Sequence, residues 1–125
     1  MAVITGTSGA DTLHGGAGND SIVGYGSADE IVGWQGNDVL RGGAGNDTFI
    51  WGQFHGDDRV RRFTEGDELV FSAVSPKTIS LVDTADGIRI SYGSFYTPDE
   101  ILLVGVHDMD LVISSITVTS DNVLA

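Results

Sequence analysis

A chain of 125 residues with 41% hydrophobic and 8% aromatic side chains has material for one modest core and not for two. Eighteen Asp and Glu against six Lys and Arg give a formal charge of −12, which argues against nucleic acid or an anionic membrane surface as partner and in favour of cations. Without cysteine there is no disulfide framework, thiolate metal site or cysteine nucleophile; no window approaches the ~20 apolar residues of a membrane span, and MAVITGTSG lacks the basic and apolar regions of a cleaved signal peptide.

Residues 6 to 50 read as five consecutive nine-residue units: GTSGADTLH, GGAGNDSIV, GYGSADEIV, GWQGNDVLR and GGAGNDTFI. Asp11, Asp20, Asp29, Asp38 and Asp47 close the sixth position of each unit, and Leu13, Ile22, Ile31, Leu40 and Phe49 fill the eighth. Fourteen of the 18 glycines lie in the first 56 residues, and at about 1 kcal/mol per Gly relative to Ala this density excludes helix. A strand can only be the three residues around each eighth position, because glycine-rich turns interrupt on both sides.

One such unit cannot bury its apolar face, so units must stack. A turn of six and a strand of three reverse the chain at every unit, and two units make one coil of 18 residues. Asp11, Asp29 and Asp47 then form one column and Asp20 and Asp38 another, with neighbours about 4.8 Å apart. Bare carboxylates at that distance repel by about 3.5 kcal/mol at an effective dielectric near 20. The stack needs a counter-charge, and turns that expose carbonyls beside each carboxylate suit calcium better than the tighter octahedron of magnesium.

The units resemble the RTX, or haemolysin-type, calcium-binding nonapeptide G-G-x-G-x-D-x-U-x. GGAGNDSIV and GGAGNDTFI fit every position, GTSGADTLH and GWQGNDVLR replace only the second glycine, and GYGSADEIV departs furthest, with Tyr25 second and Ser27 fourth. The resemblance implies an all-β fold, a parallel β-roll, with each ion between units two apart. It implies three sites: Thr7, Gly9, Asp11, Gly24, Gly26 and Asp29; then Gly16, Gly18, Asp20, Gly33, Gln35 and Asp38; then Tyr25, Ser27, Asp29, Gly42, Ala44 and Asp47. Asp29 serves two ions in this scheme, and Asp38 is a candidate for the same double role. Non-glycine residues at Tyr25, Ser27 and Trp34 are expected to strain their turns, most of all in the third site.

The register breaks at residue 51, where a sixth unit would place Gly56 at the aspartate position. The stretch DRVRRFTEGDELVF, residues 58–71, resembles the segment that closes many RTX rolls. Asp58, Phe63, Gly66 and Asp67 match, while Arg62 stands where the family often has an aspartate, and Asp58 and Asp67 are candidates for one or two further ions. The equal alternative for them is a solvated turn paired with Arg59, Arg61 or Arg62.

Beyond Phe71, TISLVD (78–83) and GIRISY (87–92) predict a hairpin, ILLVGV (101–106) predicts a strand without a polar face, HDMDLVISS (107–115) a short helical turn, and ITVTS (116–120) a half-buried strand. The expected organisation is one domain: calcium-binding repeats over 6–50, a closing segment over 51–71, and an antiparallel cap over 72–125 covering the open end of the roll. This cap resembles the flank of serralysin-type proteases and the R-modules of mannuronan epimerases.

Catalytic constellations are thin. His14, His55 and His107 have no metal-ligand spacing, and there is no G-x-S-x-G elbow, phosphate loop or EF-hand. Asp57 and Asp58 as a glycosidase pair is the weaker reading beside a turn or metal role. Asn19 and Asn46 head glycosylation-type triplets that fall inside the metal turns. Tyr25, Trp34, Trp51, Phe54, Tyr92, Phe95 and Tyr96 are expected to pack in the core or the hinge, with a minority reading as a groove for an acidic polysaccharide contacted by Arg41, Arg59, Arg61 and Arg62.

The resemblance implies a non-enzymatic module that folds on extracellular calcium and serves the export of a secreted bacterial protein through type I secretion machinery, with DNVLA at the end of a C-terminal signal. The alternative it implies is an accessory alginate-type R-module of a secreted carbohydrate-active enzyme.

Overall fold

The chain is described by a computed structural model over residues 3–52, 56–72, 79–93 and 98–119. Phe54, His55, Phe95, Tyr96 and the DNVLA segment, all weighed in the sequence, lie outside these residues. Strands of three residues form where the spacing places them: β1 (Val3–Thr5), β2 (Thr12–His14), β3 (Ser21–Val23), β4 (Glu30–Val32) and β5 (Val39–Arg41). They continue as β6 (Thr48–Trp51), β7 (Asp58–Arg61) and β8 (Glu68–Ser72). Odd strands pair in parallel in one sheet, β1-β3-β5-β7, and even strands in the other, β8-β6-β4-β2, so two units make one coil of a parallel β-solenoid of about three turns.

The eighth-position side chains fill the space between the sheets. Ile22, Ile31, Leu40 and Phe49 are fully buried, and Val60 and Leu69 extend the row, each side chain contributing roughly 1.5–3 kcal/mol by leaving water. Ile4 and Leu13, in the first coil of the described residues, are only half-buried.

The nine-residue register does not end at residue 51; it slips. Ser21 pairs with Val39, an offset of 18, whereas Val39 pairs with Arg59 and Thr48 with Glu68, offsets of 20. Two inserted residues between β6 and β7 lengthen one coil, after which Asp58 and Asp67 occupy the sixth positions of a sixth and seventh turn. A strict count of nine lands on Gly56 and misses both.

Aromatic side chains pack the core beside this longer coil. Trp51 is fully buried, stacked on Phe49 with ring centroids 6.1 Å apart and on Phe71 at 5.7 Å, and Phe71 meets Tyr92 edge-on at 5.0 Å. These rings close the widening end of the roll.

The hairpin forms between β9 (Ser80–Thr84) and β10 (Gly87–Gly93), whose two-residue turn is held by Thr84, its hydroxyl donating to the Gly87 carbonyl at 2.7 Å. β10 pairs antiparallel with β11 (Pro98–Val104), and β11 lies parallel on β7. Ile101 and Leu103 are fully buried while Leu102 and Val104 are half-buried, so the apolar run has one core face and one outer face. Helix α1 (Met109–Ser115), capped by the Asp108 carboxylate accepting from the Leu111 N–H, carries the chain to the second sheet. There β12 (Ile116–Thr119) pairs parallel with β8. The expectation of an antiparallel cap thus holds for β9, β10 and β11, whereas β12 adds a strand to the parallel stack. Among the described residues no helix is long and apolar enough to cross a membrane.

Candidate metal centre

Each turn is built around its first glycine. A Cβ on Gly6 would lie 2.5 Å from Asp11 Oδ2 and 2.8 Å from the Gly24 carbonyl oxygen; on Gly15 it would meet the Gly33 carbonyl at 2.5 Å and Asp20 Oδ2 at 2.9 Å. On Gly24 it would meet Asp29 Oδ2 and the Gly42 carbonyl. The space a side chain would take is therefore where a carboxylate oxygen of one turn meets a carbonyl of the turn stacked on it. Second and fourth positions take left-handed backbone in the third to fifth units: Tyr25 (φ 75°), Ser27 (63°), Trp34 (62°), Gly36 (99°), Gly43 (88°) and Gly45 (92°). For Tyr25, Ser27 and Trp34 this costs about 1–2 kcal/mol each, which places the expected strain in the turns the sequence singled out.

The aspartates stand in two continuous columns. Asp11 N–H donates to Asp29 Oδ1 (2.8 Å), Asp29 N–H to Asp47 Oδ1 (3.0 Å) and Asp47 N–H to Asp67 Oδ1 (2.9 Å). In the other column Asp20 N–H donates to Asp38 Oδ1 (2.7 Å) and Asp38 N–H to Asp58 Oδ1 (2.8 Å). Every carboxylate from Asp20 onward is at most 4% exposed.

The second oxygens divide these residues. Asp11 Oδ2 accepts from the Thr7 N–H at 2.6 Å and Asp20 Oδ2 from the Gly16 N–H at 3.0 Å. Asp67 Oδ2 accepts from the Thr64 N–H at 2.9 Å, and Asp58 Oδ2 from the Trp51 indole N–H at 2.8 Å. The Oδ2 atoms of Asp29, Asp38 and Asp47 are buried and accept nothing. Backbone conformation accounts for the division within the repeats. Thr7 and Gly16 are outside the left-handed region and turn their N–H groups onto the carboxylate of their own unit, whereas Tyr25, Trp34 and Gly43 are inside it and do not.

A bare buried carboxylate oxygen is costly. Burial pushes the Asp38 and Asp47 carboxyls up to about 6, against the lowering effect of the Asp20 and Asp29 N–H groups and with help from neighbouring carboxylates. Burial pushes Asp58 up to about 7, opposed by the Asp38 N–H and the Trp51 indole and assisted by Asp38 and Asp99. A cation would relieve the three bare oxygens.

Among the described residues no three His, Asp or Glu side chains converge on one point, so a full shell must draw on backbone carbonyls. Turn carbonyls are available: those of Thr7 and Tyr25 each accept one N–H, from Gly26 at 3.4 Å and Ala44 at 2.7 Å, and keep a second lone pair. An all-oxygen set of carboxylates and carbonyls on flexible turns fits calcium. Gly9, Gly16, Gly18, Gly24, Gly26, Ser27, Gly33, Gln35, Gly42 and Ala44, the other carbonyl donors expected from the sequence, lie in these same turns.

Other candidates disperse. His14 is exposed and its Nδ1 accepts from the Trp34 indole at 3.0 Å; His107 pairs with Asp83 on the surface at 2.6 Å. Asp57 is exposed and accepts from the Glu100 N–H, whereas Asp58 is sealed against Trp51, so the two share no site suited to a glycosidase pair. Neither forms a salt bridge with Arg59, Arg61 or Arg62 among the described residues. The sequence offered no sign that Trp51 would touch a column carboxylate, because its neighbour in space lies across the inserted residues.

The extracellular lipase LipA from Serratia marcescens has a similar fold, with 22% identity over 94% of this chain and 21% of that chain and a TM-score of 0.54. The AlgE6R3 subunit of the Azotobacter vinelandii mannuronan C5-epimerase matches at 25% identity over 96% of this chain and 84% of that one, with a TM-score of 0.35. The chain thus spans about a fifth of the lipase. No curated protein matches it. The RTX calcium-binding nonapeptide repeat, in four copies, matches residues 5–40 and 26–52. Residues 5–52, with their stacked carboxylate turns, carry RTX calcium-binding nonapeptide repeats.

Proposed function

We propose that this chain is a calcium-dependent folding module of a protein exported by type I secretion machinery, ordered by about three calcium ions outside the cell. The observation that carries the reading is the set of three buried Oδ2 atoms, on Asp29, Asp38 and Asp47, without a donor. Each belongs to the second aspartate of one of the three ligand sets: Asp11 with Asp29, Asp20 with Asp38, and Asp29 with Asp47. In a low-calcium cytosol the columns repel and the glycine-rich half stays unfolded, fit for threading; outside, calcium orders it. With an extracellular-type affinity of about 10⁻⁴ M and calcium at about 1 mM, each site contributes roughly 1.4 kcal/mol and three contribute about 4 kcal/mol.

Circular dichroism at neutral pH is expected to report loss of strand signal in chelator and its recovery in millimolar calcium; a folded, calcium-indifferent roll in chelator would refute the proposal.

A second reading, an accessory module for an acidic polysaccharide, is favoured by the outer face of the odd-strand sheet. Arg41 and Arg61 are direct cross-strand partners and line, with Asn19, Asn37, Val23 and Val39, a groove of ≈ 330 Å³, and Arg59 stands two residues from Arg61 on the same face. Like charges directly opposite each other are unfavourable, and a bound polyanion would offset this. Arg62 lies in the following turn with φ 57°, outside this row. Titrating alginate in calcium is expected to give saturable binding that Arg41→Ala with Arg61→Ala abolishes; binding that the double variant keeps would overturn this reading.

A further inference from the structure

We infer that the indole N–H of Trp51 stands in for a cation at Asp58, so that the Asp20–Asp38–Asp58 column is terminated by a side chain of the protein itself and Asp58 is not a calcium ligand. The inference rests on calcium filling the bare oxygens of the repeats.

Asp58 occupies the same place in its column as Asp38, 2% exposed, with Oδ1 taken by the N–H of the preceding aspartate at 2.8 Å. What differs is Oδ2. In Asp38 it is bare, and in Asp58 it accepts the Trp51 indole N–H at 2.8 Å. An ion at Asp58 Oδ2 would compete with that donor, and the ring has nowhere to retreat. It is fully buried and clamped between Phe49 and Phe71, nearly parallel to both at 21° and 24°. Trp51 ends β6, which is one residue longer than the strands before it, stands just ahead of the two-residue insertion, and pairs with Phe71. Beside the break in the nonapeptide register, Trp51 thus supplies a neutral donor where Asp38, one coil earlier in the same column, leaves an oxygen bare. The other column closes by a different route, Thr64 N–H donating to Asp67 Oδ2.

The test uses the full chain and calcium alone as probe. Asp58→Asn is expected to bind the same number of calcium ions per chain as the parent in equilibrium dialysis, while Asp38→Asn loses one; loss of one ion in Asp58→Asn overturns the inference. Should Asp58→Asn fail to fold, the parent labelled with ¹⁵N-tryptophan decides. In calcium the Trp51 Nε1–H resonance is expected to be shifted downfield and protected from solvent exchange; a freely exchanging Trp51 indole overturns the inference. If the parent binds no calcium, the proposed function fails, and the indole signal still reports on the Trp51–Asp58 contact.

Discussion

Asp29→Ala is expected to raise the calcium concentration at the folding midpoint by about tenfold or more, whereas Asp11→Ala raises it only about two- to threefold. Asp29 is 2% exposed, carries one of the three bare oxygens, and belongs to two of the three ligand sets. Its loss removes a ligand from two sites worth roughly 1.4 kcal/mol each in millimolar calcium. It also strips the Asp11 N–H of its acceptor at 2.8 Å, and a hydrogen bond to a charged group contributes about 1.5–3 kcal/mol. Asp11 is half-buried at the end of its column, and its Oδ2 is held by the Thr7 N–H and hydroxyl. Calcium titration followed by circular dichroism separates the two variants, and equal midpoints would contradict the stacking of units two apart. Asp29→Asn sharpens the comparison, because it keeps an oxygen acceptor for the Asp11 N–H and removes the charge: a midpoint near that of Asp29→Ala assigns the effect to the ligand.

What the sequence made legible was set by period. Once five units repeat without a slip, the sorting of odd and even strands into two sheets follows from chain reversal at each unit, and so does the alignment of Asp11 with Asp29 and Asp47. The turn strain was legible for the same reason, since Tyr25, Ser27 and Trp34 stand where glycine recurs. Periodicity loses its hold at an insertion. Asp58 and Asp67 read as a separate closing segment because two added residues displaced them from the count, although backbone pairing of Arg59 with Val39 and Glu68 with Thr48 keeps them in the same columns. The division between bare and closed carboxylates was not legible at all. It depends on whether a second-position N–H swings toward Oδ2, a difference of backbone angle between Gly16 and Gly43 that the same sequence, GGAGND, conceals in two units. Position in the stack, and not local sequence, separates them: the second position of the unit of Gly43 lies against the Tyr25 carbonyl, while among the described residues a Cβ on Gly16 would meet no atom within 4 Å and only β1 pairs on that side of its unit.

Acid is expected to replace part of the effect of calcium. An Asp carboxyl in the unfolded chain titrates near 3.8, and in the folded roll those of Asp38 and Asp47 are pushed up to about 6 and that of Asp58 to about 7. Between these values the folded form binds more protons than the unfolded one, so without calcium stability falls as pH rises from about 4 to about 7. The penalty is absent below the unfolded value, where both forms are protonated, and complete above the folded values, where three buried carboxylates are charged. Calcium acts on the same oxygens of Asp38 and Asp47 from the opposite side, because it binds only the ionised form and must displace their protons. Without calcium the strand signal is therefore expected to be greater near pH 5 than near pH 7.5, and the calcium needed for half-folding is expected to fall as the pH is lowered through 6, even though the folded roll itself then holds calcium less tightly. Asp38→Asn with Asp47→Asn, neutral at every pH, should flatten the calcium-free dependence. A calcium-free roll more stable near pH 7.5 than near pH 5 would mean that the bare oxygens of Asp38 and Asp47 find donors of their own, and the need for a cation in the repeats would go with them.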